Sequence, residues 1–267
     1  MSYLILKLKR KLVFRLDLRD VVPNKLLGKK KINNLKIFYG NEEKELSDFF
    51  SIQGKLNNGI IFKGNLEKCD YIGDSMTQGI IIIKGNAGEY LGNQMKGGKI
   101  IVYGSSGNYT ANSLKNGEIH IKNNTGDYLG SSIQGNKIGM SGGRVIVSGN
   151  AGNFLASKMR SGIIFVAGSV KDYLGSQMIA GTVIINGKIG KNPGLLMKRG
   201  TIILKNNISI PSYFKLTGKN NYLFLKILEF YLKKINKTFK NIFTNINVKK
   251  LVGDSSCKGK GEILILN

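Results

Sequence analysis

Apolar residues recur along this chain in short alternating runs, each preceded by a glycine, and the interval between runs is nearly constant. A fixed period decides an architecture before any local propensity does. The anchors are Gly79, Gly98, Gly117, Gly143, Gly162, Gly181 and Gly200, with Asn58 in the same register one repeat earlier. The spacing is 19 residues except in the first repeat and between Gly117 and Gly143, where seven extra residues fall between Gly130 and Met140. Two positions after the anchor stand Ile60, Ile81, Ile100, Ile119, Val145, Ile164, Val183 and Ile202. Four after it stand Phe62, Ile83, Val102, Ile121, Val147, Val166, Ile185 and Leu204. Alternation of period two puts both columns on one face of a short strand, the face turned to the interior. Gly64, Gly85, Gly104, Gly149, Gly168 or Gly187 then follows, with Asn123 and Asn206 in two repeats, and predicts a sharp turn with positive φ.

A 19-residue repeat is too short for a strand-helix-strand unit of about 30 residues. Short strands of like pattern therefore stack directly on one another, and parallel crossovers are right-handed almost without exception. The pattern predicts an all-β chain, with a right-handed parallel β-helix of about seven turns over residues 58–205. Residues 1–57 form an N-terminal strand and cap, and residues 206–267 a C-terminal helix and strand cap, because a solenoid exposes unpaired ends unless they are covered. Within the flanks, residues 3–8 read as a strand and residues 42–50 as an acidic turn leading into an apolar plug. Phe224, Ile227, Leu228, Tyr231, Ile235 and Phe239 mark the apolar face of an amphipathic helix, and residues 261–266 add a last strand.

Two further columns repeat. Tyr71, Tyr90, Tyr109, Tyr128, Phe154 and Tyr173 form one; Met76, Met95, Met140, Met159, Met178 and Met197 form the other, with Leu114 in one place. Both are expected to be core, Met being a flexible filler suited to a stacked corner. Asp70, Asp127 and Asp172 recur before the aromatic, but Glu89 and two Asn share their column, which suggests solvated corners and no calcium array.

The anomaly lies three positions after the anchor, where Ile61, Ile82, Ile101, His120, Ile146, Phe165, Ile184 and Ile203 point outward. A strand apolar on both faces belongs to a sheet covered on both sides. The chain's own flanks cover this column, or a partner subunit does, or each does so over different turns. The candidate interface is accordingly Ile82, Ile101, His120, Ile146, Phe165 and Ile184, with Ser131, Gln134 and Lys137 of the insertion.

Composition narrows the partners. The formal charge is +25, almost all of it lysine, in a chain also rich in Asn and Ile. Such a balance suits phosphate-bearing partners, but the lysines are scattered in the manner of an AT-rich genome, so nucleic acid is not expected as a partner. Two cysteines far apart build neither a disulfide framework nor a four-thiolate cluster. The opening residues 1–10 alternate apolar and basic side chains without the uninterrupted apolar region and small-residue cleavage site of a signal peptide, and no apolar run reaches the ~18 residues that span a bilayer. A cytoplasmic protein without membrane contact is expected. No nucleophile and base pair, metal-ligand spacing or phosphate loop stands out, and His120 is the single histidine. No catalytic, cofactor-binding or metal residue is expected on this chain.

The string Gly85-Asn86-Ala87-Gly88-Glu89-Tyr90-Leu91-Gly92-Asn93-Gln94-Met95, echoed at Gly149-Asn150-Ala151-Gly152, resembles the glycine-repeat β-helix shared by the C-terminal domain of glutamate synthase and the C subunit of formylmethanofuran dehydrogenase. The repeats alone do not choose between them. The insertion ending Gly139-Met140-Ser141-Gly142-Gly143-Arg144, the lead-in Leu46-Ser47-Asp48-Phe49-Phe50 and the ending Gly253-Asp254 through Gly261-Glu262 favour the formylmethanofuran dehydrogenase family. That resemblance implies a scaffold in an oxidoreductase complex of methanogenesis that fixes carbon dioxide as a formyl group on methanofuran. In it, molybdopterin or tungstopterin, iron-sulfur clusters and a dinuclear metal site lie on the other subunits, which are this chain's implied partners. Related bacterial formyltransferase/hydrolase complexes use a similar subunit.

Overall fold

The computed structural model describes residues 3–28, 31–57, 59–133, 135–235, 243 and 247–266. Asn58 and Gln134 lie outside the described residues, as does Phe239. The described residues are mostly β, with a 13-stranded sheet, a four-stranded sheet and few helices.

The eight apolar runs form the strands Gly59–Lys63, Ile80–Lys84, Lys99–Val102, Glu118–Ile121, Ser141–Val147, Ser161–Val166, Thr182–Ile185 and Thr201–Leu204. Each pairs in parallel with the next, and equivalent columns stand opposite one another: Ile81 on Ile100, Ile100 on Ile119, Ile119 on Val145. The seven-residue insertion thus leaves the register of the strands intact. Parallel bridges Leu66 to Ala87, Ser106 to Thr125, Ala151 to Val170 and Val170 to Ile189 show that the connections stack as well.

Both inward columns are buried to 1% or less from Ile60 to Leu204. Each such aliphatic contributes about 1.5–3 kcal/mol by burial, set against about 1–2 kcal/mol of backbone ordering per residue. Many stacked strands are needed, and the flanks lengthen the stack. Leu4–Leu8 adds in parallel to Gly59–Lys63, with Phe50–Gln53 antiparallel at that edge. Gly261–Ile265 adds in parallel to Thr201–Leu204, followed by Asn247–Gly253 and Phe214–Asn221 in antiparallel pairing. Leu46, Phe49 and Phe50, the expected plug, are buried to 1% or less.

All six repeated methionines are fully buried. The aromatic column is not core. Its six rings are half-buried and stack face to face with centroids 4.7–5.0 Å apart and planes within 6° of parallel. The ring spacing follows the ~4.8 Å separation of paired strands. Every one of these aromatics has φ between +56° and +63°, a conformation uncommon outside glycine. It is held because the backbone N–H of each aromatic donates to a carbonyl of the next repeat, as Tyr90 does to Asn108 and Tyr109 to Asp127.

The acidic column is not a set of solvated corners. Asp70 is 8% exposed, and Oδ1 of Asp70, Asn108, Asp127, Asn153 and Asp172 each accepts a backbone N–H from the following repeat at 2.7–3.2 Å. Asp and Asn serve alike because only the shared oxygen is used.

Of the six turn glycines, Gly64 and Gly85 have the expected positive φ, +121° and +155°, and the other four have a different reason. Gly104, Gly149, Gly168 and Gly187 do not have positive φ; a Cβ at Gly168 would lie 2.5 Å from the Gly149 carbonyl oxygen and press equally on Asn150 Oδ1. Close approach of the neighbouring repeat excludes a side chain there. The anchors have positive φ as well, from +77° at Gly143 to +104° at Gly117.

Candidate functional site

The outward column runs across the long sheet as Ile5, Ile61, Ile82, Ile101, His120, Ile146, Phe165, Ile184, Ile203 and Leu264. Its two halves have different surroundings. From Ile146 onward the side chains are 0–6% exposed and form a buried cluster with Leu225, Leu232, Phe243, Val248 and Leu266. The chain's own C-terminal helix, Leu223–Ile235, therefore covers Ile146, Phe165 and Ile184, and these three expected interface residues are not free surface. Ile5, Ile61, Ile82 and Ile101 are half-buried and belong to neither buried cluster.

The helix presents a different face from the one its spacing suggests. Leu225 and Leu232 are 0% and 1% exposed, whereas Ile227 is 65% and Phe230 61% exposed. Of the expected face, Leu228 packs against the buried cluster, while Phe224, Ile227 and Tyr231 are exposed, so the packed face is turned roughly a quarter of a turn from the expected one. Apolar residues occupy so much of this helix that periodicity does not pick a side; packing against Ile146 and its column does. Of Ile235's side chain nothing is described.

Between the covered and uncovered halves lies a polar knot. Glu118 Oε1 is 2.6 Å from His120 Nε2 and 2.7 Å from Lys99 Nζ, and Glu118 Oε2 is 2.7 Å from Arg144 Nη2. Arg144 Nη1 donates to the Tyr231 hydroxyl at 2.6 Å, which ties the helix to the knot. His120, Lys99 and Arg144 together hold the Glu118 carboxyl far below its ordinary range, against the opposing effect of burial. His120 is 8% exposed and sits at the boundary against the Glu118 carboxylate.

Two residues along each strand from the uncovered isoleucines stand Lys7, Lys63, Lys84 and Lys122, with Tyr103 between the last two. These lysines are exposed and none forms an ion pair among the described residues. Lys84 Nζ sits 3.7 Å over the Tyr103 ring. The repeat register already aligns Lys84, Tyr103 and Lys122 in one solvent-facing column; the strand pairing adds Lys7 beside Lys63.

In the insertion, Ser131 is 1% exposed with Oγ donating to the Tyr128 carbonyl, so it serves the loop itself, while Lys137 is exposed. Gln134 lies outside the described residues. Cys69 is buried, which pushes its thiol far above the usual range and leaves no thiolate for chemistry. Among the described residues no group of three or more His, Cys, Asp or Glu side chains is placed to hold a metal ion. No described helix is long and apolar enough to cross a membrane.

Comparison with known proteins adds three observations. Residues 68–217 match the family described as "GXGXG motif". The C subunits of the tungsten-containing formylmethanofuran dehydrogenase 2 of Methanothermobacter marburgensis and of Methanothermobacter thermautotrophicus are each 38% identical over 93 residues, or 32% of this chain. The match spans about a third, 34%, of the length of those relatives. A chain in the X-ray crystal structure of the formyltransferase/hydrolase complex (FhcABCD) from Methylorubrum extorquens in complex with methylofuran superposes with a TM-score of 0.93 at 30% identity, covering 98% of this chain and 99% of that one.

Proposed function

This chain belongs to the GXGXG motif family, and on that premise we propose that it is the C subunit of a formylmethanofuran dehydrogenase complex, a scaffold without catalytic residues of its own. The single observation that carries the reading is the superposition over 98% of the chain on a member of a formyl-transferring complex. The tungsten-containing relatives support the dehydrogenase form. In this reading the repeats wind as a right-handed parallel β-helix, the hand that parallel crossovers take. The stacked rings and the side-chain oxygen ladder stiffen it into a rod. Carbon dioxide reduction and formyl transfer then occur on partner chains, which would carry molybdopterin or tungstopterin, iron-sulfur clusters and a dinuclear metal site. This chain would meet them in the cytoplasm through Ile82, Ile101, His120 and the exposed Lys137.

Purification of the tagged full-length chain from its source, with mass spectrometry of the accompanying chains and metal analysis, tests the proposal. A pterin oxidoreductase chain with tungsten or molybdenum is the expected outcome; recovery as a free monomer would sink it. The full-length likeness to the formyltransferase/hydrolase complex favours one second reading, in which the accompanying chains transfer and hydrolyse formyl groups and tungsten and molybdenum are absent.

A further inference from the structure

We propose that the uncovered row Ile5, Ile61, Ile82 and Ile101 is the seat of an amphipathic helix from a partner subunit, acidic along the edge that faces Lys7, Lys63, Lys84 and Lys122. The inference rests on the assembly reading above and specifies the chemistry of the partner.

Three observations carry it. First, the same column is covered by a helix over its later half, where Ile146, Phe165, Ile184 and Ile203 pack under Leu225 and Leu232. The strand stack presents the same pleated apolar ridge on both sides of the Glu118 knot, so an element of the same kind fits both. Four strands at ~4.8 Å give a row of about 14 Å, the length of about ten helical residues at 1.5 Å rise.

Second, the row has a charged margin on one side. Two residues along a strand is about 6–7 Å, so the lysine column runs beside the isoleucines at the distance of a helix flank. Lysines stacked on successive strands repel one another, and among the described residues no carboxylate pairs with them. Asp or Glu on the incoming helix would relieve that repulsion while its apolar face covers the isoleucines.

Third, the charge argues against a second copy of this chain. At a formal +25 each, two copies meeting on their lysine margins would add to the repulsion. The Glu118 knot then acts as a spacer. It occupies the gap between the chain's own helix and the incoming one, with its carboxylate already committed to Lys99, His120 and Arg144.

The test places the photo-crosslinking residue p-benzoylphenylalanine at position 82 of the tagged full-length chain, with a control at Lys188, and purifies the chain with its accompanying subunits. The expected cross-link from position 82 joins one partner segment whose apolar residues recur at three-to-four spacing with Asp or Glu beside them. The triple variant K63E/K84E/K122E should lower the yield of that cross-link by about tenfold or more, with an unchanged melting temperature. Cross-linking to a basic segment, to a second copy of this chain, or undiminished yield in the triple variant overturns the proposal. So does a preparation that contains partner chains cross-linked at Lys188 and not at position 82, which leaves the assembly reading standing. Absence of any accompanying chain defeats the assembly reading itself, and the seat with it.

Discussion

Arg144 and Tyr231, 87 residues apart, meet through a 2.6 Å hydrogen bond from the guanidinium to the phenol oxygen. Arg144 also holds Glu118 in the neighbouring strand. One arginine thus joins the strand stack, the polar knot and the C-terminal helix.

Tyr231→Phe removes that hydrogen bond while keeping the ring, and Tyr231 is 41% exposed, so water can replace the lost acceptor. The expected loss is about 0.5–1 kcal/mol, read as a lower midpoint in urea unfolding.

Glu118→Gln should cost more, about 1–3 kcal/mol at neutral pH, because Lys99 and Arg144 lose the charge of a half-buried carboxylate and His120 loses its near neighbour. The pH dependence follows from the depressed folded-state pKa of Glu118. Its stabilising contribution is fully present above the ordinary glutamate value of 4.5 and is lost as pH falls below that value toward the lower folded-state value. Unfolding midpoints of the wild type and the variant should therefore differ at pH 7 and converge as pH drops below about 4. A difference that stays constant to pH 3 would refute the assignment.

The side of the C-terminal helix that packs is open to a direct comparison. Leu232→Ala, at a residue 1% exposed, should destabilise by about 2–5 kcal/mol. Ile227→Ala, at a residue 65% exposed, should stay within about 0.5 kcal/mol. Equal effects in guanidinium unfolding would mean that the helix packs on another face.

Gly168→Ala tests close approach against backbone freedom. Gly168 does not have positive φ, so a purely conformational account expects alanine to be tolerated or mildly stabilising. A Cβ placed 2.5 Å from the Gly149 carbonyl oxygen forces the two repeats apart, and the expected cost is about 2–4 kcal/mol in thermal unfolding.

Sequence alone determined what depends on period. The 19-residue interval and its two inward columns identified each of the eight strands, their parallel order and their buried face, since alternation along a strand needs no knowledge of neighbours. The methionine column, the terminal strands and the apolar plug were legible on the same grounds. Tertiary structure decided whatever depends on two repeats meeting. Aromatics with positive φ, an oxygen ladder that accepts Asp and Asn alike, and glycines required by a neighbour's carbonyl leave no signature within one repeat. The outward column shows the division most plainly. Its apolar character was written in the residues, but which half the chain covers itself depends on a helix with apolar residues around much of its circumference, and only packing against Ile146, Phe165 and Ile184 selects its face.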